Sequence, residues 1–177
     1  MARISLIEKE KAPDEVKAVY EQVQKKFGMV PNIVKGLAHS PAFLQTFLPF
    51  LGTVLGPSKL DQKLKELAIL TTTKLNGCSY CTAHHTAMGK GAGLTNEKIQ
   101  AVPDPAGSVF DDRERAVIRF AKEVTEKVTA SEEALVELKK YFSEEEIVEL
   151  NLAVGLFNLL TRFADTFKID LEAGMRR

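Results

Sequence analysis

Apolar residues recur at three- and four-residue spacing along almost the whole of this chain, and no segment alternates apolar with polar for the length of a strand. A period near 3.6 lines one face of a helix, whereas a strand needs a period of two. Glycine, proline and cap residues cut the pattern into segments. Val16, Val19, Tyr20, Val23 and Phe27 make one stripe, with Pro13 suited to a first helical position and Gly28 and Pro31 closing it. A short turn of helix is expected at about 33–37. Pro41 opens a segment where Phe43, Leu44, Phe47, Leu48, Phe50, Leu51, Val54 and Leu55 are apolar nearly all round, with Pro49 bending it and Gly56-Pro57 ending it. That segment reads as core or subunit interface rather than substrate channel.

Asp61 is the expected N-cap of a helix carrying Leu64, Leu67, Ala68, Ile69, Leu70 and Leu75. Asn76-Gly77 breaks it and puts Cys78 in the first turn of the next helix, which runs to about Lys90. Thr95 caps a short helix with Ile99 and Val102, and Pro103 to Ser108 is the best linker candidate. A helix over about 111–128 places Ala116, Val117, Phe120, Ala121, Val124 and Val128 on one side. Ser131 starts another, to 142. Ser143 with Glu146 reads as a capping box, and Glu144, Glu145 and Glu146 complement the dipole of the longest helix, over about 144–167. The fold class is all-α: one domain over 1–177, with a motif-bearing half at about 41–102 and C-terminal helices at about 111–168.

The 177 residues suit one domain with a core that needs no staples. Lys plus Arg and Asp plus Glu are 24 each, so the net charge of zero argues against nucleic acid or an anionic membrane as partner. Arg3, Glu8 and Lys9 interrupt the N-terminus before a signal peptide can form, and no run reaches about 18 uncharged apolar residues. A cytoplasmic protein is expected. In that compartment two cysteines are more in keeping with catalysis or metal binding than with a staple.

Both cysteines and two of the three histidines fall in Cys78-Ser79-Tyr80-Cys81-Thr82-Ala83-His84-His85. At helical spacing Cys78, Cys81 and His85 share a stripe. A thiolate rather than a thiol attacks peroxides and disulfides, and a helix N-terminus, a second thiol and a nearby base each favour it. One cysteine oxidised to sulfenic acid can condense with the other to a disulfide. Glu66, in the middle of the preceding helix, orients His85 if the Asn76-Gly77 turn folds that helix back. Tyr80 and His84 are accessory candidates, Tyr80 with its hydroxyl near the thiols and His84 more in keeping with surface packing. Other readings of the same residues are a buried core pair of cysteines, or half a zinc site drawing on Cys78, Cys81, His85 and Glu66 or His84. His39 reads as a loop residue.

A faint internal repeat aligns Asp61 to Leu70 with Glu144 to Ala153, setting Glu66 opposite Glu149 and Leu67 opposite Leu150. It then lapses, because Cys78, Cys81 and His85 fall opposite Thr161, Ala164 and Lys168.

With these residues in hand, the chain resembles the carboxymuconolactone decarboxylase and alkyl hydroperoxidase D-like superfamily, and within it the peroxidase-related branch. The core of the likeness runs from Glu66-Leu67-Ala68 through Asn76-Gly77-Cys78-Ser79-Tyr80-Cys81 to His85. Looser matches are Val30-Pro31-Asn32 with Ser40-Pro41, and Phe157-Asn158-Leu159-Leu160-Thr161-Arg162. The resemblance implies an alkyl hydroperoxidase D-like helical bundle that assembles into trimers or hexamers and uses no metal or organic cofactor. It implies Cys81 as the peroxide-attacking cysteine, Cys78 as the resolving one, and Glu66 with His85 as a proton relay. The helix-end argument points the other way, to Cys78 as the more acidic thiol. Tyr80 stands where hydroperoxidases of the family can carry histidine. Decarboxylase members lack the paired cysteines.

The expected activity is reduction of hydrogen peroxide or an alkyl hydroperoxide, with a protein or lipoyl dithiol as reductant. The alternatives are a disulfide reductase or redox sensor, a decarboxylase-like enzyme using Glu66 and His85, and a non-catalytic helical assembly protein.

Overall fold

The computed structural model describes residues 2–106 and 108–175, and the elements found among them are helices and turns, without strands. The α-helices are α1 (Asp14–Phe27), α2 (Asn32–Leu37), α3 (Pro41–Leu55), α4 (Gln62–Leu75), α5 (Ser79–Gly91), α6 (Asn96–Ala101), α7 (Asp112–Lys127), α8 (Glu132–Lys139) and α9 (Glu144–Phe167). Contacts divide the chain into two units, Met1–Gly52 with Ala164–Arg177, and Thr53–Phe163, so that the division falls within α3 and within α9.

In the first unit, Val16, Tyr20 and Val23 of α1 pack with Val34, Ala38 and Leu44. Gly28, at φ 76°, ends α1 in the left-handed conformation that glycine adopts without a Cβ clash. The Tyr20 hydroxyl donates to Ile7 O at 2.8 Å. Burial, with the Glu8 carboxylate adding to it, pushes the Tyr20 phenol up to about 12. Asn32 ties α2 to the C-terminal segment, its backbone N–H donating to Glu172 Oε1 and its side-chain amide to Asp170 O.

The second unit is built around α4, in which every residue from 64 to 73 is buried. A helix covered on all sides is the centre of a bundle rather than an amphipathic edge. It packs on α5 and α7, α7 packs on α8, and α5 on α6. Leu64, Leu67 and Leu70 join Val117, Ile118, Phe120 and Ala121 of α7 and Leu150 and Val154 of α9 in one core. Asp61 caps α4 as expected, accepting the N–H groups of Lys63 and Leu64. The three threonines at the end of α4 are buried without loss, because Thr71, Thr72 and Thr73 donate their hydroxyls to Leu67 O, Ala68 O and Leu70 O. The lysine within the buried stretch, Lys65, donates to Gly56 O and Ser58 Oγ, both at 2.9 Å. Burial lowers its pKa.

Some local expectations are corrected. Val128 is not on the packed side of α7 but is its left-handed C-cap at φ 67°, 89% exposed. α8 ends at Lys139, short of 142. Pro103 to Ser108 lies inside the second unit, between α6 and α7, with Gly107 outside the described residues. α7 also carries a capping box that the periodicity did not reveal. Asp111 Oδ1 accepts the Glu114 N–H, and buried Glu114 accepts the Asp111 N–H as well as the Lys98 and Lys63 ammoniums.

The longest helix has the length and the mean hydropathy of a membrane span, 1.4 over 18 residues, but half of that window is buried inside the fold. It starts on the Ser143–Glu146 capping box read from the sequence.

Candidate active site

α4 and α5 form an antiparallel hairpin because Asn76-Gly77 ends one and reverses the chain, with Gly77 at φ 69°. Cys78 is therefore outside the first turn of α5. It is the N-cap, with extended backbone at φ −78° and ψ 97°. The 100° step of a helix applies to Cys81 and His85, one turn apart on α5, and not to Cys78. What brings Cys78 back to the same place is capping. Its Sγ accepts the Cys81 N–H at 3.3 Å, as a serine or aspartate oxygen would at an N-cap. The two sulfurs then lie 2.8 Å apart, with Cys78 as the donor of the pair. Both are thiols, 1% and 3% exposed.

On the facing side, Glu66 is fully buried and its two carboxylate oxygens are shared between two donors. His85 Nδ1 is 2.7 Å from Oε2, and Gln62 Nε2 donates to Oε1 at 3.2 Å. With Glu66 as the carboxylate, the Nδ1 proton belongs in that bond, which leaves Nε2 with a lone pair and fixes the ring's tautomer. Phe157 of α9 holds the ring from another side, edge-on at 4.3 Å between centroids. Gly89 permits the approach of the two helices. A Cβ there would stand 3.0 Å from Leu94 Cδ1, 3.2 Å from Leu70 Cδ1 and 3.8 Å from Glu66 Cβ.

The turn that presents Cys78 is fastened by hydrogen bonds to α9. The Cys78 N–H donates to Thr73 O. The Asn76 side-chain amide donates to Asn158 Oδ1 and Thr161 Oγ1, Asn158 Nδ2 donates to Thr125 Oγ1, and the Thr125 hydroxyl donates to Thr72 Oγ1. This run of small polar groups joins α4, α7 and α9 beneath the cysteines. A buried network of this kind, with its members satisfied, fixes one geometry.

The structure thus brings together Cys78, Cys81, His85 and Glu66. Tyr80 and His84 form a neighbouring ring pair, centroids 4.6 Å apart, with Tyr80 buried. His39 belongs to the first unit and is hydrogen-bonded to Ser5. Among the described residues, no three His, Cys, Asp or Glu side chains converge as metal donors. Sequence reasoning missed Gln62, Gly89 and Phe157 as members of this site. For Gly89 a signal existed, since a glycine inside a helix costs about 1 kcal/mol against alanine and calls for a packing reason. Gln62, one turn before Glu66, was available by the same i, i+4 rule that paired Cys81 with His85.

Residues 41–123 match the sequence model of the carboxymuconolactone decarboxylase family. The matched segment is a little under half of the chain. It contains Gln62, Glu66, Cys78, Cys81, His85 and Gly89, while Phe157 and Asn158 come from beyond it. No curated protein matches the chain in sequence at a significant level. Among solved structures, a peroxidase-related protein of Ralstonia eutropha JMP134 with an alkylhydroperoxidase core is 24% identical, with a TM-score of 0.86 over 98% of this chain and 94% of that one. The debrominase Bmp8 is 20% identical, with a TM-score of 0.82 over 97% of this chain and 92% of its own. A protein of unknown function from Agrobacterium tumefaciens, named as a candidate antioxidant defence protein, is 26% identical, with a TM-score of 0.71 over 77% of this chain and 95% of that one. The alkyl hydroperoxidase D-like all-α fold is therefore common to this chain and to proteins with more than one activity.

Proposed function

We propose that this chain is a cytoplasmic thiol-dependent peroxidase acting on hydrogen peroxide or small alkyl hydroperoxides. The observation that carries the reading is a pair of buried thiols 2.8 Å apart, one helical turn before a histidine that is held on a buried carboxylate. The likeness to peroxidase-related proteins supports the same chemistry.

Cys81 is the nucleophile, one turn from His85 and accepting the Cys78 S–H. His85 Nε2 takes the thiol proton while Glu66 holds Nδ1 and balances the charge that forms. The thiolate attacks the terminal peroxide oxygen and the O–O bond breaks. Sulfur is oxidised to sulfenic acid, and the leaving alkoxide or hydroxide takes up the proton. Cys78 then attacks the sulfenic sulfur, forming the disulfide and releasing water. The sum is dithiol plus hydroperoxide to disulfide, alcohol and water. A protein or lipoyl dithiol restores the thiols by exchange, leaving as its own disulfide.

The test is thiol loss with hydrogen peroxide and with an alkyl hydroperoxide, with mass spectrometry of the product. Rapid formation of a Cys78–Cys81 disulfide that slows in His85→Ala supports the proposal. Cys78→Ser is expected to turn over once and stop, whereas sustained turnover in that variant removes Cys78 from the resolving role. Thiols that survive hours of excess peroxide but reduce an oxidised dithiol would replace a peroxidase by a disulfide reductase.

A further inference from the structure

Two asparagines hold the turn before Cys78, and one of them, Asn158, lies on α9, outside the segment that matches the family model. Cys78 needs such a hold. Serine, threonine, aspartate and asparagine are the residues that cap helices well, whereas here the cap is a sulfur accepting the Cys81 N–H at 3.3 Å. The residue before it is Gly77, at φ 69°, which restrains the chain least. Asn76 supplies the restraint. Both hydrogens of its side-chain amide go to α9, one to Asn158 Oδ1 at 3.0 Å and one to Thr161 Oγ1 at 2.9 Å. The Thr161 hydroxyl is an acceptor there because it donates to Phe157 O at 2.7 Å. Asn158 in turn uses its amide in full. Nδ2 donates to Thr125 Oγ1 and Val154 O, and Oδ1 accepts from Asn76 and from Arg162 Nη1 at 2.9 Å. A guanidinium can only donate, so Arg162 decides which way that amide points, and the oxygen it fixes demands the nitrogen of Asn76.

We propose that Asn158 is a positioning residue for Cys78, acting through Asn76 and oriented by Arg162, and that it governs the closing of the disulfide rather than the attack on peroxide. Naming the step rests on the peroxidase reading, and the pairing of the two thiols does not. Cys81 is carried by α5 itself, one turn before His85. Cys78 is carried by the turn, so its place beside the Cys81 sulfur depends on what holds the turn. In the step concerned, the Cys78 thiolate attacks the sulfenic sulfur of Cys81, the S–S bond forms, the S–O bond breaks, and the hydroxide that leaves takes up a proton as water. Without the hold from α9 the turn gains freedom in the dithiol that it must give up again in the disulfide. Ordering the backbone of one residue is worth about tenfold in an equilibrium constant, and that is the loss expected when the Asn158 side chain is removed.

Equilibration of the full chain with mixtures of reduced and oxidised glutathione tests the positioning, with the Cys78–Cys81 disulfide read by mass spectrometry. In that exchange the protein dithiol reduces glutathione disulfide to the thiol and becomes the disulfide itself. Asn158→Ala should lower the equilibrium constant for closing the disulfide about tenfold, a shift of about 30 mV towards the oxidising side. Arg162→Met, at an exposed position that puts little of the fold at risk, should move it the same way by less. Asn158→Asp keeps an oxygen for Asn76 and for Arg162 and should return the constant most of the way to wild type. A second measurement is a single turnover with hydrogen peroxide in the presence of a diketone that captures sulfenic acid, where the captured share of Cys81 should rise in Asn158→Ala. Equal constants in wild type, Asn158→Ala and Arg162→Met would overturn the proposal, as would a loss in Asn158→Ala that Asn158→Asp leaves uncorrected. If Asn158→Ala does not melt cooperatively, Arg162→Met carries the same decision. An unchanged captured share would overturn the assignment to the closing step. A wild type that closes its disulfide with glutathione but consumes no peroxide would remove the peroxidase reading, while the order of the variants in glutathione would still decide the positioning.

Discussion

Replacing Glu66 by glutamine tests the arrangement around His85 with little change of volume. The carboxylate has two acceptor oxygens and two donors, Gln62 Nε2 on Oε1 and His85 Nδ1 on Oε2. An amide has one oxygen. If that oxygen keeps the Gln62 bond, its NH₂ faces His85 Nδ1 and demands a bare nitrogen there, and the ring proton moves to Nε2, the nitrogen that must accept the thiol proton. If the oxygen keeps His85, two NH₂ groups oppose each other where a 3.2 Å hydrogen bond was. Either way a charge-assisted bond is lost, worth about 1.5–3 kcal/mol. At about 1.4 kcal/mol per factor of ten, Glu66→Gln should slow thiol oxidation by hydrogen peroxide about 10- to 100-fold. Stability should change by about 1 kcal/mol or less, because no cavity opens and a buried charge disappears. The chain has no tryptophan, so the assay is quenched-flow titration of remaining thiol rather than indole fluorescence. Oxidation at the wild-type rate, in a variant with unchanged melting, would refute the reasoning and leave the Glu66–His85 pair a structural one.

Val128→Gly should stabilise the protein. A β-branched residue at φ 67° costs about 1–2 kcal/mol, glycine gives back about 0.5–1 kcal/mol in unfolded-state entropy, and a side chain 89% exposed has little packing to lose. A thermal melt should rise by about 1–4 °C, and a fall would show that the side chain packs in a way its exposure does not suggest. Tyr20 sets a pH dependence. Its phenol titrates at 10 unfolded and about 12 folded, so the contribution of the neutral ring is whole below pH 10 and is lost as pH rises through 12. Over that interval the wild type should lose about 2 kcal/mol more than Tyr20→Phe in paired denaturant titrations, and parallel curves would contradict the assignment. Thiols 1% and 3% exposed should react with a polymer-linked maleimide at least about tenfold more slowly in the native than in the denatured protein, while peroxide reaches them in both. Equal labelling in the two states would mean that the site opens freely.

The fold class and most helix limits were legible because they rest on local rules. Asp61, Thr95, Ser131 and the Ser143–Glu146 box all cap where their types and spacing say. Glu66, Cys78, Cys81 and His85 were legible because a breaker pair between two helices predicts a hairpin. What periodicity could not supply is which positions leave the helix. Cys78 and Val128 both fall on the expected stripe by number, yet each is a cap, where the 100° step no longer holds. The internal repeat fails at the same kind of point. Asn76-Gly77 breaks the first copy into α4 and α5, while α9 runs straight through the equivalent Leu159-Leu160. Glu149, the partner of Glu66 in that alignment, accepts from Ser58 Oγ and the Leu60 and Lys59 N–H groups. Burial pushes its pKa up, but those hydrogen bonds outweigh it and hold the carboxyl below its ordinary value. It pins the entry to α4 and has no histidine.

The residues hardest to foresee share a physical origin. Gly89 costs α5 helix propensity, Thr71, Thr72 and Thr73 place three β-branched hydroxyls in a fully buried helix, and Glu66 buries a carboxylate beside them. Each is a poor local choice, and each is repaid at one place. The glycine lets α5 close on α4 at the level of Glu66. The Thr72 hydroxyl accepts from Thr125 in the run of hydrogen bonds that reaches Asn76 and so fastens the turn before Cys78. A chain under selection for stability alone would fill that space with leucine and alanine. Local choices that are unfavourable singly and consistent together mark the place where geometry rather than stability is being held, and here they all converge on the hairpin that carries the two thiols.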